Sequence, residues 1–245
     1  MIKAIIIDDE RLARRELKSL LKKHDDIDIL DEAGNADEAM EKIQELNPDL
    51  LFLDIQMPEK TGFDLLEMLP TVPKVIFTTA YDEFALQAFE INALDYLLKP
   101  IEPKRLDAAL KKLREQVEQE AVQMEVEQNS KDKKKILGEQ VFVKDGDKCW
   151  FVNLKDIRLL ESDGNYVKVY FDGHRPLIHR SLNALDEKLD DSMFFRASRK
   201  YIINLTWIDK IEPWFNGGLM VTLKGGERVE ISRRQAAKFK ERLSL

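Results

Sequence analysis

The chain has 245 residues, 44% of them hydrophobic, enough for one large or two ordinary domains with sizeable cores. A single cysteine, Cys149, excludes a disulfide framework and a cysteine zinc cluster, and suits a reducing compartment. The net charge of -7 is uneven: residues 1–118 hold 16 Lys+Arg against 26 Asp+Glu, residues 119–138 four of each sign, and residues 139–245 hold 19 against 16, which suits the halves to different partners.

No apolar run approaches the roughly 18 residues of a membrane span. The start, Met1-Ile2-Lys3, enters a strand and leaves no room for a signal peptide. A soluble, cytoplasmic protein without membrane insertion is the expectation. Apolar runs then alternate with helical periodicity through residue 115. The spacing predicts strands at Lys3–Ile7, Asp28–Ala33, Leu50–Leu53, Lys74–Thr78 and Tyr96–Leu98. Between them, Leu12, Ala13, Leu17, Leu20 and Leu21, then Ala36, Ala39, Met40, Ile43 and Leu46, recur at helical spacing. Further helices are expected at Gly62–Leu69 and Glu83–Asn92, and a fifth from Pro103, at the first-turn position proline tolerates. Strands and helices in alternation predict a flavodoxin-like α/β domain, a doubly wound parallel sheet of five strands with five helices.

The runs end on charge. Ala4–Ile7 stops at Asp8-Asp9, Leu50–Leu53 at Asp54, and Tyr96–Leu98 at Lys99-Pro100. Parallel sheets place ligands beyond the carboxyl ends of their strands, so these groups should meet at one edge. Two carboxylates about 4 Å apart repel by roughly 4 kcal/mol at an effective dielectric near 20. Three of them favour a divalent cation, and an all-oxygen set suits Mg²⁺. One carboxylate must then be the nucleophile toward an incoming phosphoryl group, and Asp54, on the central strand, is the best placed. Lys99 offers a compact cation to the phosphoryl oxygens, and Thr79 a hydroxyl at the neighbouring strand end.

With these residues in place, segment 1–118 resembles the receiver domain of two-component response regulators. The resemblance implies Mg²⁺ on Asp9, Asp54 and the backbone carbonyl of Gln56, with Asp8 assisting. It implies phosphate transfer to Asp54 from a sensor histidine kinase, Thr79 and Lys99 on the phosphoryl group, and Tyr96 as the switch aromatic. Gln56 and Tyr81 fall where relatives tune dephosphorylation, and Lys99-Pro100 where the peptide bond is usually cis. Two other readings compete: Asp8-Asp9-Glu10 as a simple helix cap, and a small phosphatase with an aspartyl nucleophile. The second commonly needs another acid two residues on, where this chain has Gln56.

From Glu115 to Lys135 the chain is rich in Glu, Gln and Lys and lacks aromatics, predicting a frayed helix grading into a solvated linker, set at 119–138. Residues 139–245 change period. Short β-branched and aromatic runs at Gln140–Phe142, Trp150–Asn153, Val167–Phe171, Leu219–Leu223 and Arg228–Ile231 are divided by Asp-Gly and Gly-Gly turns. Helices are expected at Leu182–Leu189 and Arg234–Leu243. A mostly antiparallel all-β domain with short helices follows.

Leu160–Val167, Phe194–Leu205 and Val229–Arg234, in that order, resemble the core motifs of LytTR-type DNA-binding domains. The resemblance implies base contacts from Asn165, Arg199 and Arg233, an Arg suiting guanine and an Asn adenine. Lys200, Arg180 and Arg234 are expected on phosphates, which fix register without reading sequence. Trp150, Trp207 and Trp214 are expected as core or rim aromatics, and His174 and His179 are not expected to form a metal pair. The whole chain thus reads as a LytTR-type response regulator and not as an enzyme. It would be a phosphorylation-controlled transcription factor binding repeated sites on double-stranded DNA, with its Glu83–Leu113 face forming a homodimer on phosphorylation. The alternative is a receiver-controlled protein- or RNA-interaction module without DNA output.

Overall fold

The computed structural model describes residues 1–80, 93–127, 140–146 and 148–243. The chain divides into two compact units, Met1–Phe142 with Gly146–Phe151, and Val143–Asp145 with Val152–Leu245. In the first, β1 (Ile2–Ile7), β2 (Ile27–Ala33), β3 (Leu50–Asp54), β4 (Lys74–Thr79) and β5 (Asp95–Leu98) form one sheet in the order β2-β1-β3-β4-β5. Every pairing in it is parallel. The central strands are buried along their length because helices cover both faces: all five residues of β3 are buried.

Helices α1 (Arg11–Leu21) and α4 (Pro103–Glu127) lie on one face, where Leu17, Leu21, Leu106, Leu110 and Leu113 meet Ile6, Phe52 and Ile76. On the other face α2 (Ala36–Leu46) and α3 (Gly62–Met68) bring Ala39, Ile43, Leu65 and Leu66 against Ile5, Leu51 and Phe77. Local chemistry sets the ends. Asn35 accepts from the Glu38 amide to start α2, and Thr61 with Asp64 makes a capping box for α3. The helix expected over Glu83–Asn92, and Tyr81, lie outside the described residues. Helix α4 continues to Glu127, through the first part of the stretch expected as a frayed helix, and residues 128–138 of the expected linker lie outside the described residues. Glu, Gln, Ala and Met are good helix formers, and propensity outweighs the thin apolar pattern there. No described helix is long and apolar enough to cross a membrane.

Strands β6 (Gln140–Asp145) and β7 (Lys148–Asn153) form a hairpin. Within the first unit, Phe142 stacks on Phe63 with ring centroids 5.9 Å apart and Phe151 tilts against Phe77 at 6.3 Å.

The second unit holds an antiparallel sheet, β10-β9-β8-β12-β11, made of β8 (Leu159–Asp163), β9 (Tyr166–Tyr170), β10 (Leu177–Ile178), β11 (Phe194–Arg196) and β12 (Tyr201–Asn204). A second sheet, β13-β14-β15, comprises β13 (Ile208–Pro213), β14 (Leu219–Leu223) and β15 (Arg228–Ile231). The core joins Leu159, Phe195 and Ile203 to Val221, Val229 and Ile231, and α6 (Arg233–Arg242) closes it with Ala236 and Phe239. Helix α5 (Leu182–Asp186) is shorter than the expected Leu182–Leu189. Asn204 is fully buried and joins two stretches of chain: its Nδ2 donates to the Ile157 carbonyl at 2.8 Å, and its Oδ1 accepts from the Thr206 amide and hydroxyl at 2.9 and 2.7 Å.

Candidate phosphoacceptor pocket and nucleic-acid face

Four strand ends converge as the charge pattern requires. Asp8 follows β1, Asp54 ends β3, Thr79 ends β4 and Lys99 follows β5. Asp8 and Asp54 are buried, and the Lys99 ammonium lies between them, 2.7 Å from Asp8 Oδ2 and 2.6 Å from Asp54 Oδ2. The other Asp8 oxygen accepts from the Glu10 amide at 2.9 Å, and the other Asp54 oxygen from the Gln56 amide at 3.1 Å. Asp8 thus holds its loop and the cation together; the residue that caps α1, Glu10, makes no side-chain cap bond. The capping explanation therefore does not account for Asp8 and Asp9.

Burial pushes the Asp54 carboxyl above the usual carboxylate range, against the pull of Lys99 and the Gln56 amide. Burial by itself would depress Lys99, but its bonds to Asp54 and Asp8 prevail and raise it. The site therefore holds two buried carboxylates on one cation. Exposed Asp9 brings a third, with ligand oxygens of Asp8, Asp9 and Asp54 all within 4.8 Å of one another. That surplus of negative oxygen donors fits a hard divalent cation. The Thr79 hydroxyl is buried with no hydrogen-bond partner among the described residues, so it is free to meet an added acceptor.

Backbone detail shapes the pocket. A Cβ on Gly62 would sit 2.3 Å from the Asp54 carbonyl oxygen, so only glycine lets the loop after Asp54 close onto β3. The Gly62 amide completes the closure on the Ile55 carbonyl at 2.9 Å. Lys99–Pro100 is cis, as expected, and the Lys99 amide donates to the Thr79 carbonyl at 2.8 Å. Tyr96 is buried among Phe63, Val75 and Phe77.

In the second unit, Asn165, Arg180 and Arg199 line one open groove with Tyr166 and Asn183. Asn165 occupies the tip of the β8–β9 hairpin: Asp163 pairs with Tyr166, leaving Gly164-Asn165 as the two-residue turn, with Gly164 at φ 62°. Arg199 is exposed on the β11–β12 connection. Lys200, beside it, is held by Glu161 at 2.9 Å and lies over Tyr201. Glu161 also accepts from the Tyr170 hydroxyl, whose pKa burial raises to about 12. Arg233 and Arg234 open α6, exposed and without an acidic residue in the first turn. Two cations at a helix N-terminus oppose the macrodipole, by about 0.3–1 kcal/mol each. An anionic partner reverses that sign.

One supporting residue escaped the sequence reading. Arg196 donates from Nε to the Ser198 carbonyl at 2.7 Å, and from Nη2 to the Arg199 carbonyl and Asn183 Oδ1, both at 3.1 Å. It braces the turn that displays Arg199. The sequence signal was its place in Phe194-Phe195-Arg196, just before the contact loop.

A parallel α/β unit with this pocket and a β-unit with these arginine-bearing loops define a phosphoacceptor switch joined to a nucleic-acid-binding output. Residues 4–111 match the family described as response regulator receiver domain, and residues 147–244 the LytTr DNA-binding domain. The chain belongs to the LytT/LytR response regulators. It is 36% identical to "Sensory transduction protein LytT" of Enterococcus faecalis over 98% of both chains, and 36% identical to the Bacillus subtilis protein of that name over the whole of both. "Sensory transduction protein LytR" of Staphylococcus haemolyticus is 33% identical, again over the whole of both. Among solved structures, the response regulatory domain of mrkE from Klebsiella pneumoniae is 35% identical with a TM-score of 0.44, covering 48% of this chain and 99% of that one. A LytTr DNA-binding domain from Bacillus cereus is 24% identical with a TM-score of 0.41, covering 43% of this chain and 97% of that one.

The protein is therefore a phosphorylation-controlled, DNA-binding transcription regulator and not an enzyme. Among the outputs weighed from sequence, the family match selects DNA over a protein- or RNA-interaction module.

Proposed function

We propose that Asp54 is the phosphoacceptor and that its phosphorylation by a sensor histidine kinase controls DNA binding by the β-unit. The observation that carries this is Lys99 bridging buried Asp8 and Asp54 at one sheet edge. The Asp54 carboxylate attacks phosphorus, forming an O–P bond as the N–P bond to the kinase histidine breaks. Lys99 moves its hydrogen bonding toward the phosphoryl oxygens, and the Thr79 hydroxyl donates to one of them. Asp8, Asp9, Asp54 and the Gln56 carbonyl would hold Mg²⁺. That ion supplies neutralisation of the charge gathered on the phosphoryl oxygens. The shift of Thr79 then re-packs Tyr96, which is already buried among Phe63, Val75 and Phe77.

The Pro103–Leu113 part of α4, with β5, supplies a face for a homodimer formed on phosphorylation, each copy placing a β-unit on a repeated site. Two linked binding units gain affinity through effective concentration without new contacts. Asn165, Arg199 and Arg233 read bases, and Arg180, Lys200 and Arg234 hold phosphates. Residues 1–118 are the receiver, 119–138 the charged connector and 139–245 the DNA-binding domain, in a cytoplasmic protein.

The test is selection of random duplex DNA by the full-length protein, with and without beryllofluoride and Mg²⁺, repeated for Asp54→Asn. A shared motif, enriched only with beryllofluoride and lost in Asp54→Asn, is expected. Affinity should fall by about 0.9 log units per log unit of salt for each phosphate neutralised. Equal binding by Asp54→Asn and wild type after phosphodonor treatment would overturn the coupling.

A further inference from the structure

The β13–β14 turn carries an apolar side chain that neither core uses. Phe215 is 74% exposed; among the described large hydrophobics only Met1 is more so. A flexible loop would make this unremarked, but the turn is built. The Trp214 amide donates to the Gly218 carbonyl at 2.9 Å, and the Gly218 amide to the Phe215 carbonyl at 3.0 Å. Asn216 and Gly217 both have positive φ, 53° and 76°, the paired left-handed geometry of a tight hairpin turn. A Cβ on Gly218 would lie 2.8 Å from the Ile231 carbonyl oxygen, so the base of the turn is pressed onto β15. The sequence Asn216-Gly217-Gly218 thus fixes Phe215 outward.

Its surroundings are cationic and adjoin a residue already assigned to DNA. Phe215 meets Trp214 edge-on, ring centroids 4.7 Å apart, and the Arg228 guanidinium stands 5.7 Å over the Trp214 ring. At the turn itself the bare Cα of Gly217 faces the stem of Arg233, whose Cγ and Cδ lie 3.6 Å from where a Cβ would be. Arg234 follows on α6. Of the nearby acids, Glu212 is occupied by Lys210 at 2.8 Å, leaving Glu230 exposed on β15. Three arginines against one unpaired carboxylate favour a polyanion over an acidic or neutral protein surface. In a major groove, the apolar group beside the edges read by arginine is the thymine C5-methyl.

We infer that Phe215 is a DNA-contacting residue that packs on a thymine methyl next to the base pair Arg233 reads. This rests on the DNA reading of the β-unit and extends it to a loop carrying none of the expected contacts. The arrangement gives Gly217 a role: its bare Cα lets the Arg233 stem approach the turn that carries Phe215, which would bring both side chains to one groove.

The experiment uses the full-length protein with beryllofluoride and the duplex it enriches from a random pool. Thymines are replaced singly by deoxyuridine, which removes only the methyl. Wild type should lose about four-fold in affinity at one position, the scale of a single buried apolar carbon. Phe215→Ala should lose about ten-fold on the thymine duplex and become indifferent to deoxyuridine there, while Phe215→Leu keeps part of both. Thermal unfolding checks that Phe215→Ala is folded. Wild-type affinity in Phe215→Ala, or a wild type indifferent to deoxyuridine at every position, would overturn the inference while leaving the DNA reading intact. Loss of self-association with unchanged affinity per site would overturn it too, assigning the ring to a protein contact. No enriched duplex at all would remove both.

Discussion

The brace beneath Arg199 offers a demanding test of how the DNA face is organised. Arg196→Met keeps the apolar stem and deletes the guanidinium, hence all three bonds to Ser198, Arg199 and Asn183. Hydrogen bonds to charged groups contribute about 1.5–3 kcal/mol each when buried. Two of these three are reached by solvent, so about 2 kcal/mol in total is a fair sum for ordering the turn. Without the brace, DNA must order that turn itself, and the same 2 kcal/mol appears as about thirty-fold weaker binding. The assay is fluorescence anisotropy with the enriched duplex, on wild type, Arg196→Met, Arg199→Ala and the double variant. Because Arg196 acts through Arg199, the double variant should bind hardly more weakly than Arg199→Ala. Arg196→Lys, which can restore only part of the fork, should recover a few-fold. Additive losses, or an unchanged dissociation constant in Arg196→Met with its thermal stability intact, would refute the reasoning.

Gly62→Ala should destabilise the receiver by about 1–3 kcal/mol, because its methyl meets the Asp54 carbonyl at 2.3 Å; a denaturant midpoint like wild type's would contradict the close approach. Asn204→Leu should lower the stability of the β-unit by about 2–5 kcal/mol, since it strands the Ile157 carbonyl and the Thr206 amide. Urea unfolding followed by Trp fluorescence reads it, and a loss under 1 kcal/mol would show those groups find other partners. Acid stability should depend on buried Asp95. Burial opposes its ionisation, but the Tyr96 amide, Arg105 and Lys112 prevail and hold its pKa below the ordinary 3.8. A depressed folded pKa gives stability that is complete above the unfolded value and lost as pH falls through the folded one. Asp95→Asn should therefore flatten the stability profile below about pH 4, and an unchanged acid limb would exclude the carboxylate as a contributor.

The receiver was legible because its signals are local and coincide. Four of the five strands (β1, β3, β4 and β5) are short, largely apolar runs that end on or just before the residue at the pocket, so finding Leu50–Leu53 also locates Asp54. Rotation of Lys99 onto both Asp8 and Asp54 follows once the strand order is known. The β-unit was less legible. Strands such as β11 and β12 span three and four residues, too few for alternation to declare itself. What holds them is also distant in sequence: Asn204 bonds back to Ile157, and Glu161 holds Lys200. The second contact bears on the phosphate role proposed for Lys200, since a phosphate would have to compete with an ion pair to a residue 39 positions earlier in the chain. Arg199, Arg233 and Arg234 have no such competitor among the described ion pairs, which would make them the stronger electrostatic contributors in the proposed DNA contact.

The unpartnered Thr79 hydroxyl links the pocket's electrostatics to the proposed switch. In the structure one cation serves two buried carboxylates, and neither carboxylate can release it without leaving a charge uncompensated. A phosphoryl group on Asp54 adds about two negative charges and competes for that cation. Lys99 can only redistribute bonds it already makes, so its net gain is small. Thr79 makes none among the described residues, so its first hydrogen bond is almost wholly gained. Satisfying a buried hydroxyl contributes about 1–3 kcal/mol, which shifts a two-state equilibrium by about five- to 150-fold. At the upper end of that range, an arrangement of β4 and Tyr96 populated to about a few per cent would become the dominant one. In the proposed switch the driving force would thus come from the Thr79 hydroxyl, unsatisfied among the described residues, and the charged groups would hold the phosphoryl where Thr79 can reach it.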